Sequence, residues 1–244
     1  MAPPPDTAVI LAAGEGRRLA GMWTRPKGLL RFGRETLIER SLRLLESRGV
    51  ERVVLVTGYD STAYEDLLKG RVEMIRNPEF STTGSMASLA RALDMVKDDF
   101  ILVESDLAYA ARGLDALLKG DARDAVLASG PTRATDEVWI DAPDGWIRAL
   151  SKEAPPVARH GEFVGLSRIS SPLALLMREA FERHVKEQGH ARMSYDSDAL
   201  PIAASLRPVS MVLVPDLLWG EVDDASHYAR VRDHVWPALD EPGT

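Results

Sequence analysis

The chain has 244 residues, of which 45% are apolar and 27% charged, and a formal net charge of −7; these values suit a globular protein that builds its core without staples. It contains no cysteine, which excludes disulfides, thiol nucleophiles, zinc fingers and iron–sulfur clusters. The acidic balance argues against a general nucleic-acid binder, which needs a basic face, and no apolar run approaches the roughly 20 residues of a membrane-spanning helix.

Residues 1–6 are proline-rich and are expected to be disordered, because proline supplies no backbone donor. The N-terminus has no basic segment ahead of its apolar run, so it is not read as a secretory signal, and a cytoplasmic protein is expected. The run TAVILAA before Gly14 reads as a strand buried on both faces. Glu35 to Arg48 has helical spacing and ends at Gly49. Arg52 to Thr57 is a second strand, Thr62 to Leu68 a short helix and Val72 to Arg76 a third strand. Ser85 to Val96 is a helix and Phe100 to Glu104 a fourth strand. Buried strands alternating with amphipathic helices predict a Rossmann-like, three-layer α/β/α fold with a mostly parallel central sheet.

The second half is less regular. Ala125 to Ser129, Glu137 to Ile140, Trp146 to Leu150 and Phe163 to Leu166 read as strands, with Pro143-Asp144-Gly145 as a hairpin turn. Pro172 opens a long helix that Gly189 stops. Ser210 to Val214 is a late strand and Ala225 to Val235 a final helix. The expectation is one domain over residues 7–240, with a small antiparallel excursion in its second half.

Leu11-Ala12-Ala13-Gly14-Glu15-Gly16-Arg17-Arg18-Leu19 follows the first strand directly, with Pro26-Lys27 further on. Glycines there let backbone amides approach an anion, and Arg17 and Lys27 add positive charge. The dinucleotide fingerprint fails, because Leu19 stands where its last glycine belongs, and the P-loop fails at Arg34 and Glu35. Asp106 follows the fourth strand, where a carboxylate faces a ligand crevice and its hard oxygens suit Mg²⁺. Glu221 and Asp223 point the same way in an extended chain and repel each other unless a cation lies between them. Asp224 is the candidate cap of the final helix. The five histidines show no metal-ligand spacing and read as surface or packing residues.

LAAGEGRRL followed by PKGLL resembles the signature of the nucleotidyltransferase superfamily that contains sugar-phosphate and cytidylyl transferases. Trp23 in the spacer and Gly28 after the lysine depart from it. The segment Asn77 to Leu89 and the stretches TDEV, LSK, GEFVG and WGEVDD resemble the cytidylyltransferase branch acting on phosphocholine or 2-aminoethylphosphonate, and the likeness runs from Ala8 to Pro237. The resemblance implies that Leu11, Ala12, Ala13, Gly14, Glu15, Gly16, Thr83 and Ser88 bind the nucleotide. It implies that Arg17, Lys27 and Asp106 are catalytic and that Asp106, Glu221 and Asp223 hold Mg²⁺. Asp136, Lys152 and Glu162 would meet the acceptor.

The expected activity is therefore CMP transfer from CTP to a small phosphonate, with 2-aminoethylphosphonate first. Carboxylates around Lys152 suit a primary ammonium, and a chain with 6% aromatic residues offers no evident cage for trimethylammonium. Phosphocholine, 2-hydroxyethylphosphonate or a sugar-1-phosphate are the alternative acceptors. A non-catalytic nucleotide-binding regulator is the alternative of another class. Neither nucleic acid nor membrane is expected as a partner, and the oligomeric state stays open, a homodimer being one option. As a loop residue after proline, Lys27 is expected outside the core, so its removal should affect turnover more than folding.

Overall fold

The computed structural model describes residues 3–132, 134, 137–152 and 159–239. In chain order the strands are β1 (Thr7–Ala12), β2 (Arg31–Phe32), β3 (Glu35–Thr36), β4 (Arg52–Thr57), β5 (Glu73–Arg76), β6 (Phe100–Glu104) and β7 (Leu107–Tyr109). They continue with β8 (Ala125–Ser129), β9 (Trp139–Asp141), β10 (Ala149–Ser151), β11 (Gly161–Ile169), β12 (Ser210–Val214) and β13 (Trp219–Glu221). The helices are α1 (Leu37–Glu46), α2 (Ser61–Leu68), α3 (Ser85–Met95), α4 (Ala111–Lys119), α5 (Ser171–Gln188), α6 (Leu200–Ala204), α7 (Ala225–Arg230) and α8 (Trp236–Ala238).

Alternation along the buried strands builds two cores, one on each face of the sheet. Ala8, Ile10 and Ala12 of β1 join Leu55, Ile101 and Val103 under α1, α2 and α4. Val9 joins Val54, Val56, Phe100 and Leu102 under α3, α5 and α6. Successive side chains of a strand point to opposite faces, so a continuous apolar run needs cover on both. The expected three-layer arrangement follows from this.

β5, β4, β1 and β6 lie side by side and run parallel. β11 pairs antiparallel with β6 on one edge and with β8 on the other, and β12 closes that side parallel to β8. The first residues of β11 carry β9, which carries β10, as the antiparallel excursion. Gly145, at φ +80, makes its hairpin turn. Among the described residues this is a nine-stranded sheet. No described helix is long and apolar enough to cross a membrane.

Several elements differ from expectation. β11 spans nine residues because strands pair with both of its edges. The hairpin strands are shorter, and Trp146 makes only an isolated bridge to Ser210. The final helix is interrupted by a wider π turn over Val231–Val235. Ahead of β1, Pro5 is buried, and the Pro3 carbonyl accepts from buried Arg168 at 2.7 Å.

Candidate active site

The C-terminal ends of β1 and β6 are neighbours, with Leu11 opposite Glu104. Ligand crevices form at this end of parallel strands. A cavity of about 250 Å³ opens there, walled by Leu11 to Gly14 on one side and Glu104 to Asp106 on the other. Thr83, Ser88 and Tyr195 also line it. Asn77 donates to Thr83 Oγ1 at 3.1 Å and to Ser88 Oγ at 3.0 Å, which fixes this wall from beneath.

The glycine loop continues through Gly16 at φ +65 into a single 3₁₀ turn, Arg17–Leu19. Such a turn separates consecutive side chains by about 120°, so they diverge. Leu19 enters the core, Arg18 reaches Asp223 Oδ2 at 2.5 Å, and Arg17 points outward to Glu15 at 2.6 Å. Arg17 is 73% exposed and lies outside the cavity wall, as do Glu15 and Gly16. Gly28, which departs from the family signature, is required by packing. A Cβ there would sit 2.6 Å from the Tyr64 hydroxyl and 3.1 Å from the Ser105 carbonyl.

Lys27 crosses the cavity. Its ammonium donates to Asp106 and, at 2.6 Å, to Asp223 Oδ1. At 14% side-chain exposure it is more enclosed than its loop position led us to expect. Burial alone would lower the Lys27 ammonium; the carboxylates of Asp106, Asp223 and Glu221 outweigh it and raise it. Asp223 moves the opposite way: burial would raise it, but Lys27 and Arg18 hold it below the usual carboxylate range.

Carboxylate oxygens of Glu104, Asp106 and Glu221 lie within 4.8 Å of one another. The resemblance implies Asp106, Glu221 and Asp223 as the metal set; Asp223 faces Lys27 and Arg18, while Glu104 lies beside Asp106 and Glu221. Tyr195 donates to Glu104 Oε1 at 2.7 Å. Burial, followed by the charges of Asp106 and Asp196, pushes Glu104 up to about 8. Glu221 is raised in the same way, by burial and then by Asp106 and Glu104.

These shifts make stability depend on pH. A carboxyl raised in the folded state keeps its proton there more tightly than in the unfolded chain, so its contribution is complete below the unfolded value and is lost as pH rises through the folded one. Asp223, being lowered, acts only at more acidic pH. The melting temperature of chelator-treated protein is expected to fall from about pH 5 to about pH 8. A series of melts across that range checks it, and a flat profile would contradict the clustering of these acids.

A second cavity, of about 60 Å³, shares Glu104 and Glu221 with the first. Lys152, Glu137, Glu162, Asp196, His227 and Arg230 stand in its wall. Glu162 accepts from the Thr132 amide at 2.6 Å and from its hydroxyl at 2.7 Å; burial raises it in spite of these bonds. Lys152 and Glu162 thus meet in one cavity. Asp136 lies outside the described residues. Asp224 caps α7, accepting from Ser226 and His227 amides at 2.8 and 3.0 Å.

Sequence reading assigned no role to Arg18, Glu104, Tyr195 or Asp196. Glu104 carried a usable signal, since it stands beside Asp106 at a strand end. Tyr195 and Asp196 lie in a short π turn, Tyr195–Ala199, with no periodic pattern to reveal it.

The profile of the family described as "MobA-like NTP transferase domain" matches residues 8–193. The chain belongs to this family. Among its nucleotidyltransferase relatives is a CMP-5'-(3-aminopropyl)phosphonate synthase of Streptomyces rubellomurinus, 31% identical over 90% of this chain and 37% of that protein. The chain therefore spans well under half the length of that relative. A 2-aminoethylphosphonate cytidylyltransferase of Lancefieldella rimae is 26% identical over 86% of this chain and 87% of its own length. The solved inositol-1-phosphate CTP transferase from T. maritima shares the fold, with a TM-score of 0.73 at 18% identity, covering 92% of this chain and 91% of the other.

Proposed function

We propose that this nucleotidyltransferase is a cytidylyltransferase that moves CMP from CTP to a small phosphonate bearing a primary ammonium, with 2-aminoethylphosphonate first. A phosphonate oxygen attacks the α-phosphorus, the bond from that phosphorus to the bridging oxygen breaks, and pyrophosphate leaves with the electron pair. The acceptor oxygen is already an anion, so no general base is needed and catalysis is positioning plus charge neutralisation.

One observation carries this reading. The glycine-loop cavity and the Lys152 cavity meet at Glu104 and Glu221, as a nucleotide site beside an acceptor site would. Lys27 is the group to neutralise charge on the transferred phosphate, and Arg17, exposed outside the cavity wall and paired with Glu15, would meet the outer phosphates by turning from that partner. The donor set fits Mg²⁺: hard carboxylate oxygens converge, and burial and mutual repulsion disfavour the ionised forms of Glu104 and Glu221, which a cation would favour. Asp106 and Glu221 would hold the ion, with Asp223 joining when Lys27 turns to a phosphate. When bound, Mg²⁺ would offset charge on the transferred and leaving phosphates.

Acidic side chains in the second cavity favour an acceptor with a cation behind its anion, and Lys152 is the partner for the anion. Phe163 and Trp219 also line that cavity. Its aromatic surface makes phosphocholine the acceptor to test against. Pyrophosphate release with each NTP and a panel of acceptors decides the matter. CTP should far exceed ATP, GTP and UTP, since unpaired polar groups at a base edge discriminate strongly. 2-Aminoethylphosphonate should exceed phosphocholine, and both should exceed 2-hydroxyethylphosphonate. Equal use of UTP or ATP would overturn the cytidylyl reading; preference for the hydroxyl compound would overturn only the ammonium assignment. Nucleotide binding without turnover on any acceptor would favour a regulatory protein.

A further inference from the structure

The acidic groups beside the glycine loop already carry cations of the chain itself. One Lys27 nitrogen serves Asp106 and Asp223 together, and Arg18 holds the other oxygen of Asp223 at 2.5 Å. Both cations come from the segment between β1 and α1, the same segment proposed to receive phosphates. Glycine at position 16 keeps the path open: a Cβ there would lie 3.0 Å from Lys27 Cγ. The arrangement compensates Asp106 and Asp223 in a largely enclosed cleft, where an unpaired carboxylate is costly, and leaves Glu221 beside them raised by burial and by Asp106.

A divalent ion and the Lys27 ammonium seek the same oxygens, and two positive centres on one carboxylate repel. A triphosphate changes the balance, because it offers Lys27 and Arg18 other anionic acceptors. We propose that Lys27, seconded by Arg18, is the internal counter-ion of the metal site, so that a divalent ion is admitted with the nucleotide and not ahead of it. This role rests on the reading of Asp106 and Glu221 as metal ligands proposed above. By linkage, the factor by which nucleotide tightens metal binding equals the factor by which metal tightens nucleotide binding.

Mn²⁺ binding to the full chain, followed by the paramagnetic resonance signal of free Mn²⁺, tests this with and without CTP. Lys27→Met keeps the stem and removes the charge. After subtraction of the Mn²⁺ that CTP removes in the absence of protein, wild type should bind Mn²⁺ at least about tenfold more tightly with CTP than alone. Lys27→Met should bind Mn²⁺ alone at least about tenfold more tightly than wild type does alone, with a smaller further gain from CTP. Melting curves supply an independent readout: Mn²⁺ alone should stabilise Lys27→Met but not wild type. If Lys27→Met gives no melting transition, Arg18→Met carries the test. That side chain is 53% exposed, and its loss must also tighten Mn²⁺ alone, by a smaller factor. Equal or weaker Mn²⁺ binding by the CTP-free variants overturns the counter-ion role and leaves the metal reading standing. No Mn²⁺ binding by any of the proteins with CTP present overturns the metal reading and the counter-ion role with it.

Discussion

Asp106→Asn is expected to lower turnover by at least about 100-fold, the scale of removing one preorganised electrostatic group. The substitution keeps the shape and removes one charge. Asp106 is the residue on which both groupings at the site converge: it accepts from Lys27 and lies with Glu104 and Glu221 in the carboxylate cluster. Removing its charge weakens the hold on a divalent ion and releases one anchor of Lys27. It also relieves repulsion on Glu104 and Glu221, both of which Asp106 raises. Folding should therefore hold while chemistry fails. Single-turnover rates at limiting and saturating Mg²⁺, read beside a melting curve, separate the two effects. Near-normal turnover at limiting Mg²⁺ would remove Asp106 from the metal site.

Lys27→Ala is expected to combine a catalytic defect with a structural one. Turnover should fall by about 10²- to 10³-fold, since the charge proposed to meet the transferred phosphate is gone. Unlike a surface loop lysine, Lys27 is the shared partner of two largely enclosed carboxylates, Asp106 at 11% and Asp223 at 7% side-chain exposure. Breaking an enclosed pair by removing one partner costs about 3 kcal/mol where water can still enter, or roughly 6 to 12 °C in melting temperature for a domain of this size. Lys27→Arg should not restore turnover fully, because a planar fork cannot place one nitrogen between two carboxylates as an ammonium does. An unchanged melting temperature would return Lys27 to the role of a solvated loop residue.

The central strands were legible because their signal is local. Continuous apolar runs such as TAVILA and RVVLVT demand cover on both faces, and the glycine loop and Asp106 lie directly at strand ends. The short strands β7 and β13 and helix α4 were not read. β7 and β13 are three residues each and pair only with each other, too short for a period to register. Which carboxylate meets which cation lay beyond sequence spacing altogether. Lys27 reaches partners 79 and 196 positions away, and a contact across such separations exists only once the sheet brings its strand ends together. The choice between Arg17 and Arg18 turned on the 120° step of one 3₁₀ turn after Gly16. Tyr195 and Asp196 entered the site because their turn is docked on the loop that opens α3, with the Tyr195 amide 3.0 Å from Ser85 Oγ. The residue types for phosphate and metal chemistry were thus set by sequence, while their pairing was decided by tertiary packing, because ion pairs and shared cavities depend on distances that only the folded chain defines.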